Sequence, residues 1–222
     1  MKVSLSRRMA VEFLGTAFLV AAVIGSGIMA ERLSGGNVAL ALLANTIATG
    51  AALVALIAAF GPVSGAHLNP VVSIMNACDG GLPWAEAPHY AASQVLGGIA
   101  GAVTAHLMFG LHVVSLGTHV RSGPAQTFSE FVATFGLICI IWGSVRFRPA
   151  IVPFAVGAYI TAAYWFTAST SFANPAVTIA RSLSDTFAGI RPADVPWFIA
   201  AQFIGGLGAL LLFRWLCPKS VC

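Results

Sequence analysis

The chain has 222 residues and a mass of 22.9 kDa; 58% of it is hydrophobic and 8% charged, against roughly 25% charged in an ordinary soluble protein. Eleven bases and seven acids cannot give a domain of this size a charged shell, and a mean hydropathy of +0.89 agrees. Disorder, a coiled coil and a secreted disulfide scaffold are excluded, leaving a polytopic integral membrane protein whose first partner is the lipid bilayer. The net charge of +4 comes from bases scattered singly or in pairs, with no stripe suited to nucleic acid, so the bases bear on membrane orientation instead.

In chain order, apolar stretches near the roughly 20 residues needed to cross a bilayer fall at about 11–30, 38–60, 89–111, 127–145, 150–167 and 197–216. The first follows Lys2, Arg7 and Arg8 as a signal peptide would, but it is long enough to span and is read as a transmembrane helix. Two further apolar stretches, 61–77 and 168–183, are interrupted by Gly, Pro and Asn and support only about two turns of helix each. With an even number of spans both termini share a side. Lys2, Arg7, Arg8, Arg146, Arg148, Arg214 and Lys219 fall there, against Arg32, Arg121, Arg181 and Arg191 opposite, which places the termini in the cytoplasm. Cys78, Cys139, Cys217 and Cys222 show no metal-ligand or CxxC spacing and read as apolar fillers or tail residues; no cofactor is implied.

The chain repeats itself. Glu12-Phe-Leu-Gly-Thr16 returns as Glu130-Phe-Val-Ala-Thr134, Ser64-Gly-Ala-His-Leu-Asn-Pro-Val71 as Ser169-Thr-Ser-Phe-Ala-Asn-Pro-Ala176, and Ala92-Ser-Gln-Val-Leu-Gly-Gly98 as Ala200-Ala-Gln-Phe-Ile-Gly-Gly206. Each half holds three spans, so the second copy is upside down. The whole chain, 1–222, reads as one channel domain built from inverted repeats at approximately 7–111 and 126–216. The expected fold class is all-α: six transmembrane helices plus two re-entrant half-helices. Broken segments in corresponding positions of such a repeat mark the permeation site. Loops 61–68 and 168–173 are therefore expected to enter the membrane and stop near its middle, with half-helices starting at Pro70 and Pro175. Asn before Pro suits such a start: Asn caps free amides, and Pro at the first position costs no donor. The half-helix ends then repel cations and protons while the amides of Asn69 and Asn174 donate to a passing neutral solute.

These residues resemble the major intrinsic protein family, the aquaporins and aquaglyceroporins, along the entire chain. Ser-Gly-Ala-His67-Leu-Asn69-Pro70-Val71 matches the family's SGAHxNPA pattern with Val for Ala, and Asn174-Pro175-Ala176 matches completely. The resemblance implies that Glu12 and Glu130 support the pore loops. It also implies four chains per assembly, each with its own pore. His67 either lines the pore or braces its loop.

At the filter, too, the chain departs from the family, which usually carries Arg directly after the second NPA where this sequence has Val177. Arg181, one turn later, either reaches toward the vestibule or snorkels outward, and the outward reading is preferred. Counting from the asparagines as in the family places Thr49 in span two, Ala162 (or Ala163) in span five, and Ser171 (or Phe172) in the loop. A wide, weakly polar, Arg-free filter follows. Gln94 and Gln202, each followed by a Gly pair, read as places of close helix packing, and Trp142 as a contact to packing partners or lipid.

The expected function is a passive channel for water and small uncharged solutes such as glycerol-like polyols, urea-sized molecules or undissociated metalloid acids like arsenous acid, in an inner cell membrane. The alternative is a proton-coupled transporter using Glu12 and Glu130, the only acids within the spans. An enzyme fares worst: there is no HExxH and no Ser/His/Asp grouping, and His106, His112 and His119 do not share a helix face as i, i+4 ligands would.

Overall fold

A computed structural model describes residues 3–217; Lys2, Lys219 and Cys222 lie outside the described residues. Its α-helices, in order, are α1 (Leu5–Leu33), α2 (Val38–Ser64), α3 (Pro70–Cys78), α4 (Ala87–Met108), α5 (Pro124–Phe147), α6 (Val152–Phe166), α7 (Pro175–Arg181) and α8 (Val195–Leu216), with no strand among the described residues. Short 3₁₀ turns at Pro149–Ile151 and Pro192–Asp194 lead into α6 and α8. Among the described residues, six helices are long and apolar enough to cross a membrane, and α3 and α7 are the two short ones. The protein is thus an all-α, multi-pass membrane protein.

The ends of these helices follow from the sequence. The Asn37 side chain accepts from the Leu40 amide and starts α2. Gly65 ends it in the left-handed region (φ 90°), a conformation that glycine adopts without a Cβ penalty. Pro62 lies inside the last turn of α2, so the first re-entrant loop begins at residue 65, not at 61 as expected from the Gly-Pro pair.

Helix pairs repeat between halves. α1 packs on α4 and α2, α5 on α8 and α6, and α2 meets α6 across the centre. Glycines set these crossings. A Cβ on Gly97 or Gly101 would sit 2.2 Å from the carbonyl oxygens of Phe13 and Ala17 on α1. On Gly205 it would sit 2.4 Å from the Phe131 oxygen on α5, the same contact in the other half. The second glycine of each pair seats a half-helix: a Cβ on Gly98 would sit 3.1 Å from the Ala176 oxygen of α7, and one on Gly206 2.5 Å from the Val71 side chain of α3. At the centre, Gly50 and Gly157 meet: a Cβ on Gly50 would collide with Thr161 Oγ1 and crowd the Gly157 oxygen, and one on Gly157 would collide with Val54 and the Gly50 oxygen. Small residues let backbones approach closely where lipid offers no hydrophobic drive for association.

The outside of the bundle stays apolar, with Leu40, Ile47, Phe154 and Leu211 exposed, and Trp84, Trp197 and Trp215 exposed near helix ends, as bilayer contact requires.

Gly101→Ala drives a methyl into the Ala17 carbonyl, and we expect it to lower stability by about 1–3 kcal/mol, read as a fall in the thermal unfolding midpoint of the detergent-solubilised protein. Gly61→Ala, in a helix with open space at its Cβ, is expected to be neutral or to stabilise by up to about 1 kcal/mol.

Candidate functional site: a pore between two re-entrant loops

The site begins with two carboxylates. Glu12 on α1 and Glu130 on α5 are fully buried. Glu12 Oε1 accepts from Ser64 Oγ (2.6 Å) and the His67 amide (3.0 Å), and Oε2 accepts from the Leu68 amide and Gln94 Nε2, both at 2.7 Å. Glu130 repeats this: Phe172 N at 2.9 Å, Ala173 N at 2.8 Å and Gln202 Nε2 at 2.6 Å. Gln94 also donates to Ser73 Oγ on α3, and Gln202 to Thr178 Oγ1 on α7, each at 2.9 Å. The glutamines therefore tie acid to half-helix, a polar task beyond the close packing expected of them; the adjacent Gly pairs do the packing.

The loops need such anchors. Ala66, Leu68, Thr170, Ser171 and Ala173 all have φ between 45° and 61°. Each costs a non-glycine residue about 1–2 kcal/mol. Charge-assisted bonds from loop amides to a buried carboxylate offset that strain and satisfy the acid at once. Neither glutamate lines the cavity described below.

Asn69 and Asn174 cap the half-helices and bridge the halves. Asn69 Oδ1 accepts from the Val71 amide (2.9 Å), while Nδ2 donates to the Ala173 carbonyl (2.7 Å). Asn174 Oδ1 accepts from the Ala176 and Val177 amides (3.0 and 3.3 Å), while Nδ2 donates to the Leu68 carbonyl (2.8 Å). Each asparagine thus hydrogen-bonds the residue preceding the other. A side-chain amide carries two donor hydrogens; these bonds use one apiece. Pro70, Val71, Pro175 and Ala176 are buried behind them.

A cavity of about 280 Å³ passes these asparagines. Its walls are i, i+4 stripes: Thr49, Leu53 and Ile57 on α2, Val152, Val156, Ile160 and Tyr164 on α6, Leu19 and Val23 on α1, and Leu137 and Ile141 on α5. Asn76, Trp142 and Val145 line the end where α1 begins and α8 ends; Ser171, Phe172, Val177 and Arg181 line the far end. His67 lines the wall and also bonds Ser73 Oγ through Nδ1 at 3.0 Å. The structure therefore brings Thr49, His67, Asn69, Ser171, Phe172, Asn174, Val177 and Arg181 to one cavity.

Three sequence expectations need correction. Ala162 is exposed on the outside of α6 and Ala163 is buried off the cavity; the α6 residue at the far end is Tyr164, whose hydroxyl lies 3.3 Å from Thr49 Oγ1. The offset between halves is 105 at the asparagines but 107 at the crossing glycines Gly50 and Gly157, so counting back from the loop lands two residues short. Arg181 does not snorkel. It is 1% exposed, lines the cavity, donates through Nε to the Ala188 carbonyl and sets its guanidinium carbon 3.3 Å from the Phe172 ring centroid. The far end is therefore not free of arginine. Trp142 lines the cavity and donates to Asp79 Oδ2 at 3.1 Å instead of merely packing.

Arg121, counted in the sequence only as an outer base, is also buried at the far end. Its side chain donates to the carbonyls of Gly189 (2.9 Å) and Ser169 (3.2 Å), and its carbon lies 5.1 Å from the Phe172 centroid. Burial draws its guanidinium down to about 10, so it remains charged at neutral pH. Its partners are distant in the chain, and no local signal marks it. The connection before it packs on the segment after α7: the Ser115 and Gly117 amides donate to the Leu183 and Ser182 carbonyls, and His106 of α4 bonds Ser184 Oγ at 2.8 Å.

Fold and cavity together define a multi-pass membrane channel with two half-helices meeting inside it. The chain belongs to the major intrinsic protein family: the profile described as Major intrinsic protein matches residues 1–163. It is 56% identical over 216 residues to the aquaglyceroporin AqpS of Rhizobium meliloti (strain 1021), covering 97% of this chain and 92% of that one. It is 35% identical to aquaporin NIP1-4 of Oryza sativa subsp. japonica, over 87% of this chain and 71% of that one. The crystal structure of the aquaglyceroporin from Plasmodium falciparum shares the fold, with a TM-score of 0.76 at 21% identity over 97% of this chain and 98% of that one. The protein is accordingly a passive channel for small solutes.

Glu12→Gln puts an amide donor against at least one of the donors that now converge on the carboxylate. A loss of about 2–4 kcal/mol is expected, measured by thermal unfolding, with Glu130→Gln costing a similar amount.

Proposed function

We propose that this channel conducts small uncharged solutes — glycerol-like polyols, urea-sized molecules and undissociated metalloid acids such as arsenous acid — together with water. The observation that carries this reading is the cavity at the asparagines, apolar along its stripes and polar only at fixed points. A solute exchanges its hydration for the spare hydrogens of Asn69 and Asn174, loop carbonyls and the far-end hydroxyls of Thr49, Ser171 and Tyr164, while its carbon face slides on Leu53, Val156 and Ile160. The two half-helix N-termini oppose protons and cations. The name of the Rhizobium relative, aquaglyceroporin, supports the choice of solute class.

In this reading Thr49, Tyr164, Ser171, Val177 and Arg181 form the filter, with Phe172 as its wall. Val177 is small where a bulkier cation would narrow the path, and Arg181 reaches the same wall from one turn further along α7. The excess of bases on one side supports cytoplasmic termini in an inner membrane, and in this reading the far end is the outer mouth. The exposed apolar faces of α1, α2, α5 and α6 fit a homotetramer with a pore in each chain. Residues 1–222 act as one channel domain. A coupled mechanism gains no support from Glu12 and Glu130, whose oxygens already accept from loop amides and glutamines.

Stopped-flow light scattering on proteoliposomes tests the proposal. Wild type is expected to raise glycerol and arsenous acid permeability well above protein-free vesicles, with no dependence on a pH gradient; transport of water alone contradicts it. Val177→Arg is expected to cut glycerol permeability about tenfold, a barrier increase of about 1.4 kcal/mol, and water permeability much less. Equal glycerol fluxes in the two proteins place the constriction elsewhere.

A further inference from the structure

The outer mouth holds two buried guanidiniums, neither of them in an ion pair among the described residues. Among the described residues the ion pairs are Arg8–Glu86, Arg146–Asp79, Arg191–Asp194 and Arg214–Asp79; Arg121 (7% exposed) and Arg181 (1% exposed) are in none. The carboxylates of that region are engaged elsewhere. Glu130 takes loop amides and Gln202, Asp185 takes the amide and hydroxyl of Thr118, and Asp194 takes Arg191 and the Arg121 backbone amide. Arg121 donates from Nε and Nη1 to two carbonyls and Thr170, and it is not among the residues lining the cavity. Arg181 differs: it lines the cavity and its buried Nη1 has no partner. Ser171, 2% exposed and on the same wall, likewise has a buried Oγ with no partner. A buried charged donor left open costs several kcal/mol, and a second donor left open beside a pore defines what would fill both: an acceptor carrying negative charge.

We propose that the outer mouth is a recognition site for a small monovalent oxyanion, a carboxylate or oxyacid anion of formate size, held by Arg181 Nη1 and Ser171 Oγ, with Arg121 adding positive charge from behind Phe172. This rests on reading the cavity as the solute path and refines it: the anion occupies the path at its outer end and competes there with neutral solutes. Phe172 fixes the arrangement, because both guanidiniums lie against its ring and the ring packs edge-on against Phe198 at 5.2 Å. A planar guanidinium and a hydroxyl lining one wall suit two oxygens of one anion better than a halide.

Formate is the probe, with chloride of equal concentration as the charge control and formamide as the uncharged shape control. A site of this kind has a Kd of about 1–10 mM, so glycerol permeability of wild-type proteoliposomes is expected to fall about twofold when formate on both sides equals Kd. Chloride and formamide have little effect. Arg181→Lys, which keeps the charge but not the fork, and Ser171→Ala, which removes only a hydroxyl, each weaken inhibition at least about fivefold relative to their own uninhibited flux. Formate-dependent thermal stabilisation of the purified channel reads the same site without transport. Stabilisation by formate over chloride that both variants lose, in a protein that does not pass glycerol, sustains the site and overturns the path. Glycerol flux with no formate effect in either measurement overturns the site and leaves the path standing.

Discussion

Everything at the centre of this channel depends on two buried carboxylates reading the backbone of two strained loops. Re-entrant backbone at membrane depth has amides with no water to satisfy them, and left-handed residues at Ala66, Leu68, Ser171 and Ala173 turn those amides toward the bundle. Glu12 and Glu130 receive them. The exchange is mutual, since an unpaired carboxylate in that place would be as costly as the unpaired amides. With the loops so fixed, Asn69 and Asn174 meet the carbonyls of Ala173 and Leu68, and the half-helices begin face to face.

The surrounding bundle serves that arrangement. Carboxylates on α1 and α5 reach the loops only if α4 and α8 lie close enough for Gln94 and Gln202 to complete their shells, and the glycines at 97, 101 and 205 remove the side chains that would hold those helices apart. Gly98 and Gly206 do the same for α7 and α3. Sequence, packing and site are joined here by absent Cβ atoms: a pair of glycines three residues after a glutamine places both the acid's partner and the half-helix.

Much of this was legible in the chain itself. The Asn-Pro pairs, the glutamates in spans one and four and their recurrence in order gave the half-helices, the supporting acids and the inverted halves. What escaped had long-range causes. Tyr164 was missed because the repeat offset changes by two residues between α6 and its loop; the i, i+4 run Val152, Val156, Ile160, Tyr164 carried the signal that counting from Asn174 discarded. Arg181 looked like a base free to reach solvent. Its burial arises from Phe172 and the Ala188 carbonyl, which the fold brings to it. Arg121 and Trp142 find partners 48 or more residues away in sequence, so no local pattern points to them.

The central claim is that the carboxylates, more than the helix packing around them, hold the pore loops in their conducting shape. Amide hydrogen exchange of the channel in lipid tests it directly, following His67, Leu68, Phe172 and Ala173 in wild type and in Glu12→Gln. The account requires all four amides to be strongly protected in wild type although their residues border the cavity, and the substitution to release His67 and Leu68 while Phe172 and Ala173 stay protected. Fast exchange at these amides in wild type, or unchanged protection of His67 and Leu68 in the variant, contradicts it.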